Sequence, residues 1–185
     1  IRPPPSASDL RTTHVSLLDE TRNTVRVAAG AIDTAATAAG EAVTHAQEKQ
    51  AQANHLGIYG VAATVQAATD CVEAAALGIA AAKDAADQAT NRLGEIADET
   101  RTSDSSDRAK AAISDLDKAA TDLAAASGSA ETAAAYAEET DVDSLITIVS
   151  AMVGEFGTAL SLIGDAKTTV ETYQVDLEAL STGKL

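Results

Sequence analysis

The chain has almost nothing large to build a core from. Tryptophan is absent, phenylalanine occurs once and tyrosine three times in 185 residues. A core of that kind must be filled by alanine, which demands close helix–helix approach over a long contact and predicts a slender shape. Proline occurs only at Pro3, Pro4 and Pro5, a stiff lead-in after which nothing forbids helix. Alternating runs of β-branched residues are missing too, so no strand pattern competes. Basic residues are scarce: 13 against 28 acidic, a net charge of -15. No basic stripe is available to displace counterions from nucleic acid. Unassisted binding to an anionic membrane is disfavoured for the same reason. The charge reads instead as a soluble, self-repelling surface.

Reactive groups are equally sparse. Cys71 is the sole cysteine, which excludes an internal disulfide and leaves the redox compartment unread. It lies on the flank of a helical seam among small residues, with no basic neighbour to activate it, and is expected to be a buried or half-buried structural thiol. The histidines are His14, His45 and His55, and no two are three or four residues apart. One helix face therefore cannot hold a metal, and the Glu-x-x-His pattern of di-iron bundles does not occur. His14 is expected near the end of the bundle, partly exposed. Glu138 with Glu139, and Asp141 with Asp143, read as solvated carboxylates at a helix junction. No nucleophile elbow, phosphate-binding glycine loop or calcium loop is present. Neither catalytic residues, nor a metal, nor a cofactor is expected.

What is present is a seven-residue hydrophobic repeat in four blocks. The clearest runs Val142, Leu145, Val149, Met152, Phe156, Ala159, Ile163, Ala166, Val170, Tyr173, Leu177 and Leu180, by alternating steps of three and four. Such spacing lines one seam of a helix, as coiled-coil a and d positions do. The first block is Leu18, Val25, Ile32, Ala39 and Ala46, with Thr21, Ala28, Ala35 and Ala42 three residues on. A second, in a new phase, is Ile58, Val65, Val72, Ile79, Ala86 and Leu93, with Val61, Ala68, Ala75, Ala82, Ala89 and Ile96. Because Ala46 and Ile58 are not separated by a multiple of seven, one straight helix cannot keep both seams on one partner. A tight turn near 52–57 resolves the conflict. The third block is Ala109, Ala112, Leu116, Ala119, Leu123, Ala126, Ala130, Ala133 and Ala137. It passes Ser127-Gly128-Ser129 without losing phase, so that triplet predicts a kink or weak point rather than a break.

These seams predict an all-α fold: a long antiparallel four-helix, coiled-coil-like bundle made of two helical hairpins. The expected organisation is a proline-rich lead-in at 1–6, a first hairpin at 7–100, a linker at 101–107, a second hairpin at 108–181 and a tail at 182–185. Turns are expected near 47–57, 98–106 and 138–142. Ser6 with Asp9 and Thr140 with Asp143 have the form of capping boxes, and Asp104 that of an N-cap. Gly183 fits a C-terminal stop. The chain opens at Ile1 rather than methionine, which reads as a processed mature form or a boundary within a longer chain.

Helix four differs from the others. Ile146, Ile148, Val153, Leu160 and Leu162 widen its apolar stripe between Leu145 and Ile163. Central placement in the bundle accounts for that width, and so does a surface for a partner. Ile146, Val153, Leu160 and Leu162 are the candidate contact residues. A membrane span is disfavoured by Glu155, the glycines and the interspersed hydroxyls.

Two long helices joined at Leu56-Gly57-Ile58-Tyr59-Gly60 resemble the small secreted helical-hairpin proteins of type VII secretion systems, alanine-rich and known from actinobacteria. That family carries Trp-x-Gly at the turn, where this chain has Tyr59-Gly60. Its C-terminal Tyr-x-x-x-Asp/Glu signal has no counterpart, since neither Tyr136 nor Tyr173 has an acid four residues on. The resemblance covers residues 8–100 and implies a secreted or cell-surface protein. The expected function is a non-enzymatic structural or interaction module with a protein partner or self-association, binding neither nucleic acid nor membrane. The competing expectation is a membrane-active or granule-coating bundle using the wide face of helix four.

Overall fold

A computed structural model describes residues 7–97 and 101–182, with side chains of the first helix from position 17 onward. Four helices follow one another: α1 (Ala7–His55), α2 (Tyr59–Gly94), α3 (Thr102–Glu139) and α4 (Asp143–Ser181). Alanine-rich, proline-free sequence favours them locally, but the heptad seams decide how they pack. α1 packs on α2 and α4, and α3 packs on the same two, so the helices form a closed square. All neighbours are antiparallel. In the first third of α1, Arg22 reaches the end of α2, while Gln47 near its far end bonds Glu73 at 3.0 Å. Likewise Lys110, early in α3, pairs with Glu178, late in α4.

The seams are the core. Every first-block residue from Leu18 to Ala46 is buried, as is every third-block residue from Ala109 to Ala137. The fourth is buried from Leu145 to Leu177, with Val142 and Leu180 half-buried at its ends. Only the second departs: Val61 is half-buried and Ile58 is exposed. α4 supplies the bulk, with Met152, Phe156 and Tyr173 among the largest fully buried side chains. Most buried positions of α1 and α3 are alanines, with Leu18, Val25 and Ile32 of α1 and Leu116 and Leu123 of α3 the larger exceptions.

The turns correct several boundaries. The polar stretch from Gln47 does not end α1, which continues to His55. Its alanines, glutamines and lysine are good helix formers, and polarity alone breaks nothing. The stop comes from Gly57, left-handed at φ 73°. Ile58 N–H bonds Ala53 C=O at 3.0 Å and Gly57 N–H bonds Asn54 C=O at 3.1 Å, the paired bonds of a Schellman cap. The presumed linker 101–107 is helical from Thr102, with Arg101 rather than Asp104 at the N-cap position. Ser105 and Ser106 are buried there, so small polar residues that look like linker pack as the first turn of α3. Helix α3 runs unbroken through Ser127-Gly128-Ser129.

The capping box at Thr140 does not form. Val142 holds the N-cap position of α4 without a side-chain bond. Thr140 instead closes α3: its hydroxyl donates to Ala137 C=O at 2.6 Å and accepts from Val142 N–H at 3.2 Å. Asp141 takes the left-handed conformation at φ 58°, which a short polar side chain tolerates. Ser6, proposed to cap α1, the Pro3–Pro5 segment and Gly183 lie outside the described residues, as does the side chain of His14.

Candidate interaction surface

Charged side chains strap three of the four helix–helix seams. Lys83 of α2 bonds Asp33 of α1 at 2.5 Å and also pairs with Asp87. Arg92 of α2 pairs with Asp115 of α3, and Arg108 of α3 with Glu95, just past the end of α2, at 2.6 Å. Lys110 and Lys167 join α3 and α4 through Glu178 and Asp117 at 3.0 and 2.6 Å. Among the described residues the α1–α4 seam has no ion pair; His45 bonds the Ser144 hydroxyl at 3.0 Å instead.

That seam borders a nearly uncharged face of small residues. From Ser144 to Gly164, about 30 Å of helix, Glu155 is the only acidic or basic residue, and it is half-buried. The outward face consists of Thr147, Ser150, Ala151, Gly154, Gly157, Thr158, Ser161 and Gly164, all exposed. Its threonine hydroxyls are already used. Thr147 donates to Asp143 C=O at 2.8 Å and Thr158 to Gly154 C=O at 3.1 Å, leaving methyl groups and bare backbone to face a neighbour. The adjoining strip of α1 is built alike: Thr34 and Thr44 donate to Gly30 and Gly40 C=O at 3.2 and 3.0 Å.

The four residues singled out from the sequence flank this face rather than form it. Ile146, Val153 and Leu160 are half-buried and packed against the core, in the column that ends at Lys167 and so borders α3. Leu162 is half-buried in the column of Ile148, which lines a shallow groove with Thr37, Gly40 and Thr44 of α1. The extra width of the stripe is thus largely spent on the two neighbouring helices. The outermost residues are small ones that a search for large apolar side chains passes over. Their signal in the sequence is the spacing of Gly154, Gly157 and Gly164 within a run nearly free of charge.

Two further arrangements were not foreseen. Arg22 caps α2 from another helix, its Nε donating to Leu93 C=O at 3.0 Å and its Nη2 to the carbonyls of Gly94 and Ile96. Leu93 and Gly94 are the last two residues of α2 and Ile96 lies just past its C-cap, so the guanidinium sits where a cation suits the helix dipole. Tyr173 is fully buried, and burial pushes its phenol up to about 12 although the charge of Arg22 pulls the other way.

Cys71 is half-buried, as expected from its place on the seam, with its thiol pushed up by burial and by the charge of Asp70. A thiol shifted that way is a poorer nucleophile at neutral pH. No three histidine, cysteine or carboxylate side chains converge among the described residues. Helices α2 and α4 are each long and apolar enough to cross a membrane by length and composition, a property that core helices of soluble bundles share. No family model matches the chain, and no curated protein or solved structure is found to be similar to it.

Proposed function

We propose that the protein is a non-enzymatic structural or protein-interaction module that works by helix–helix packing, with the outward face of α4 as its contact. The observation carrying this reading is the outward face of the run from Ser144 to Gly164, exposed and without a charged residue on a chain of net charge -15. Over most of the remaining surface the excess of acidic residues repels copies and acidic neighbours. Here another helix can approach closely over small residues, and few side chains need be immobilised on contact. The partner is a second copy or another helical protein. A secreted or cell-surface setting accords with the hairpin resemblance.

A photo-crosslinking residue at Thr158, on the face, and one at Asp84, exposed on α2, test this in extracts of the native source. Adducts from Thr158 and none from Asp84 are the expected result. Absence of adducts at both positions refutes the contact. In parallel, Ala151→Glu with Thr158→Glu should abolish association and leave thermal melting nearly unchanged, because both positions point to solvent.

A further inference from the structure

The first hairpin outruns the second. Gly78 of α2 lies against Ala126 of α3. From there α2 runs nineteen residues back to Tyr59, whereas α3 runs only thirteen on to Glu139. The α1–α2 turn therefore projects about 9 Å beyond the α3–α4 turn at 1.5 Å per residue. From Ala51 to Gly60 every residue but Ala53 is exposed.

This projecting end is apolar. Leu56, Ile58 and Tyr59 are 69, 48 and 74% exposed, and they make up half of the exposed large hydrophobic residues among those described. It also lacks carboxylates, lysine and arginine, and His55 is the one basic side chain exposed there. No aspartate, glutamate, lysine or arginine occurs from Gln50 to Thr69, and the first turn of α2 carries no acid. Chance placement is a poor account of an uncharged stretch of twenty residues that includes the whole of the one end that stands clear of an acidic bundle.

We propose that this tip is a wedge that partitions into the headgroup–acyl boundary of an electrically neutral lipid bilayer. Size argues for lipid over a protein. Three side chains expose on the order of 400 Å², about half of what each partner gives up in a standard protein interface. A bilayer asks for no complementary shape, and tyrosine between leucine and isoleucine suits its boundary, with an apolar ring and a polar tip. The unpaired N–H groups opening α2 limit the depth to where water and headgroups reach. Charge selects the lipid. The bundle behind the tip repels an anionic surface, so zwitterionic membranes are favoured and added anionic lipid weakens binding unless salt screens it. The wedge requires no unfolding of α4 and is independent of the contact proposed above.

Co-sedimentation of the full chain with phosphatidylcholine vesicles is the test. Binding is expected, weaker when phosphatidylserine is added at low salt and restored as salt rises. Ile58→Ser with Tyr59→Glu, both exposed and compatible with a helix start, should lower the partition coefficient about tenfold or more, since two large side chains stop transferring, without lowering the melting temperature. A Tyr59→Trp variant, in a chain with no other tryptophan, should shift its emission to the blue on vesicles. No binding to phosphatidylcholine overturns the proposal. So does equal binding by the double variant, which would place the lipid contact elsewhere, or tryptophan emission that vesicles leave unmoved.

Discussion

The seam between α2 and α3 and the seam between α1 and α4 solve the same problem in opposite ways. At the first, a glycine removes the side chain: a Cβ on Gly78 would sit 2.9 Å from the Ala126 Cβ and 3.4 Å from the Asp122 carbonyl oxygen. The helices touch nearly backbone to backbone, and arginine–carboxylate pairs reinforce them. At the second, large side chains of α4 fill the space beside a first helix whose buried positions are mostly alanine, and no ion pair is found among the described residues. One seam is held by proximity, the other by volume. Loss of volume and gain of volume should therefore injure them differently.

The largest effect is expected from removing volume on α4. Phe156 is fully buried, and most buried positions of the neighbouring α1 and α3 are alanines, too short to collapse into the space it would leave. Phe156→Ala should cost about 3–5 kcal/mol, the upper range for a buried aromatic, measured by urea unfolding. A cost below about 1 kcal/mol would show that α4 can settle inward, and the contrast would fail.

Adding volume reverses the asymmetry. Gly78→Val should destabilise by about 2–3 kcal/mol, because the atoms it meets include backbone, which cannot rotate away. Gly154→Ala and Gly157→Ala on the α4 face meet nothing within 4 Å. They should stabilise by up to about 1 kcal/mol each through helix propensity. If all three changes behave alike in thermal melts, the close approach at Gly78 is not a feature of the protein in solution.

How much of this was legible in the sequence follows from what each kind of signal encodes. Heptad spacing is a property of the side chains themselves, so the buried columns were readable almost residue by residue. Loop positions were less so. Ser105 and Ser106 carry linker-like chemistry but are buried as helix, and Thr140 caps the helix behind it rather than the one ahead. A capping motif identifies a hydroxyl near a helix end without saying which end. Ile58 continues the second seam in sequence yet is exposed, because the seam's phase does not reveal where the opposite hairpin stops. The contact face was half-legible: the apolar width of α4 was visible, but which residues the neighbours would cover depends on how the four helices close.

The smallest effect at neutral pH sharpens the comparison from the alkaline side. Tyr173 is held protonated well above its ordinary value of 10.0 by burial. The unfolded chain releases that proton first, so the stability tied to it is complete below about pH 10 and is lost as pH rises through about 12. Helix content should fall in that window together with the delayed phenolate absorbance of one tyrosine. Tyr173→Phe should blunt the fall.

The antiparallel square also sets an order of assembly. Its α1–α2, α2–α3 and α3–α4 edges each join helices that follow one another in the chain, so each forms by closing a short loop. The remaining edge joins the first helix to the last, and the His45–Ser144 bond spans 99 residues. Closing so long a loop costs more entropy, and its contacts reward the chain only after the others are in place. Loop entropy therefore predicts that the α1–α4 edge is the last to close in folding.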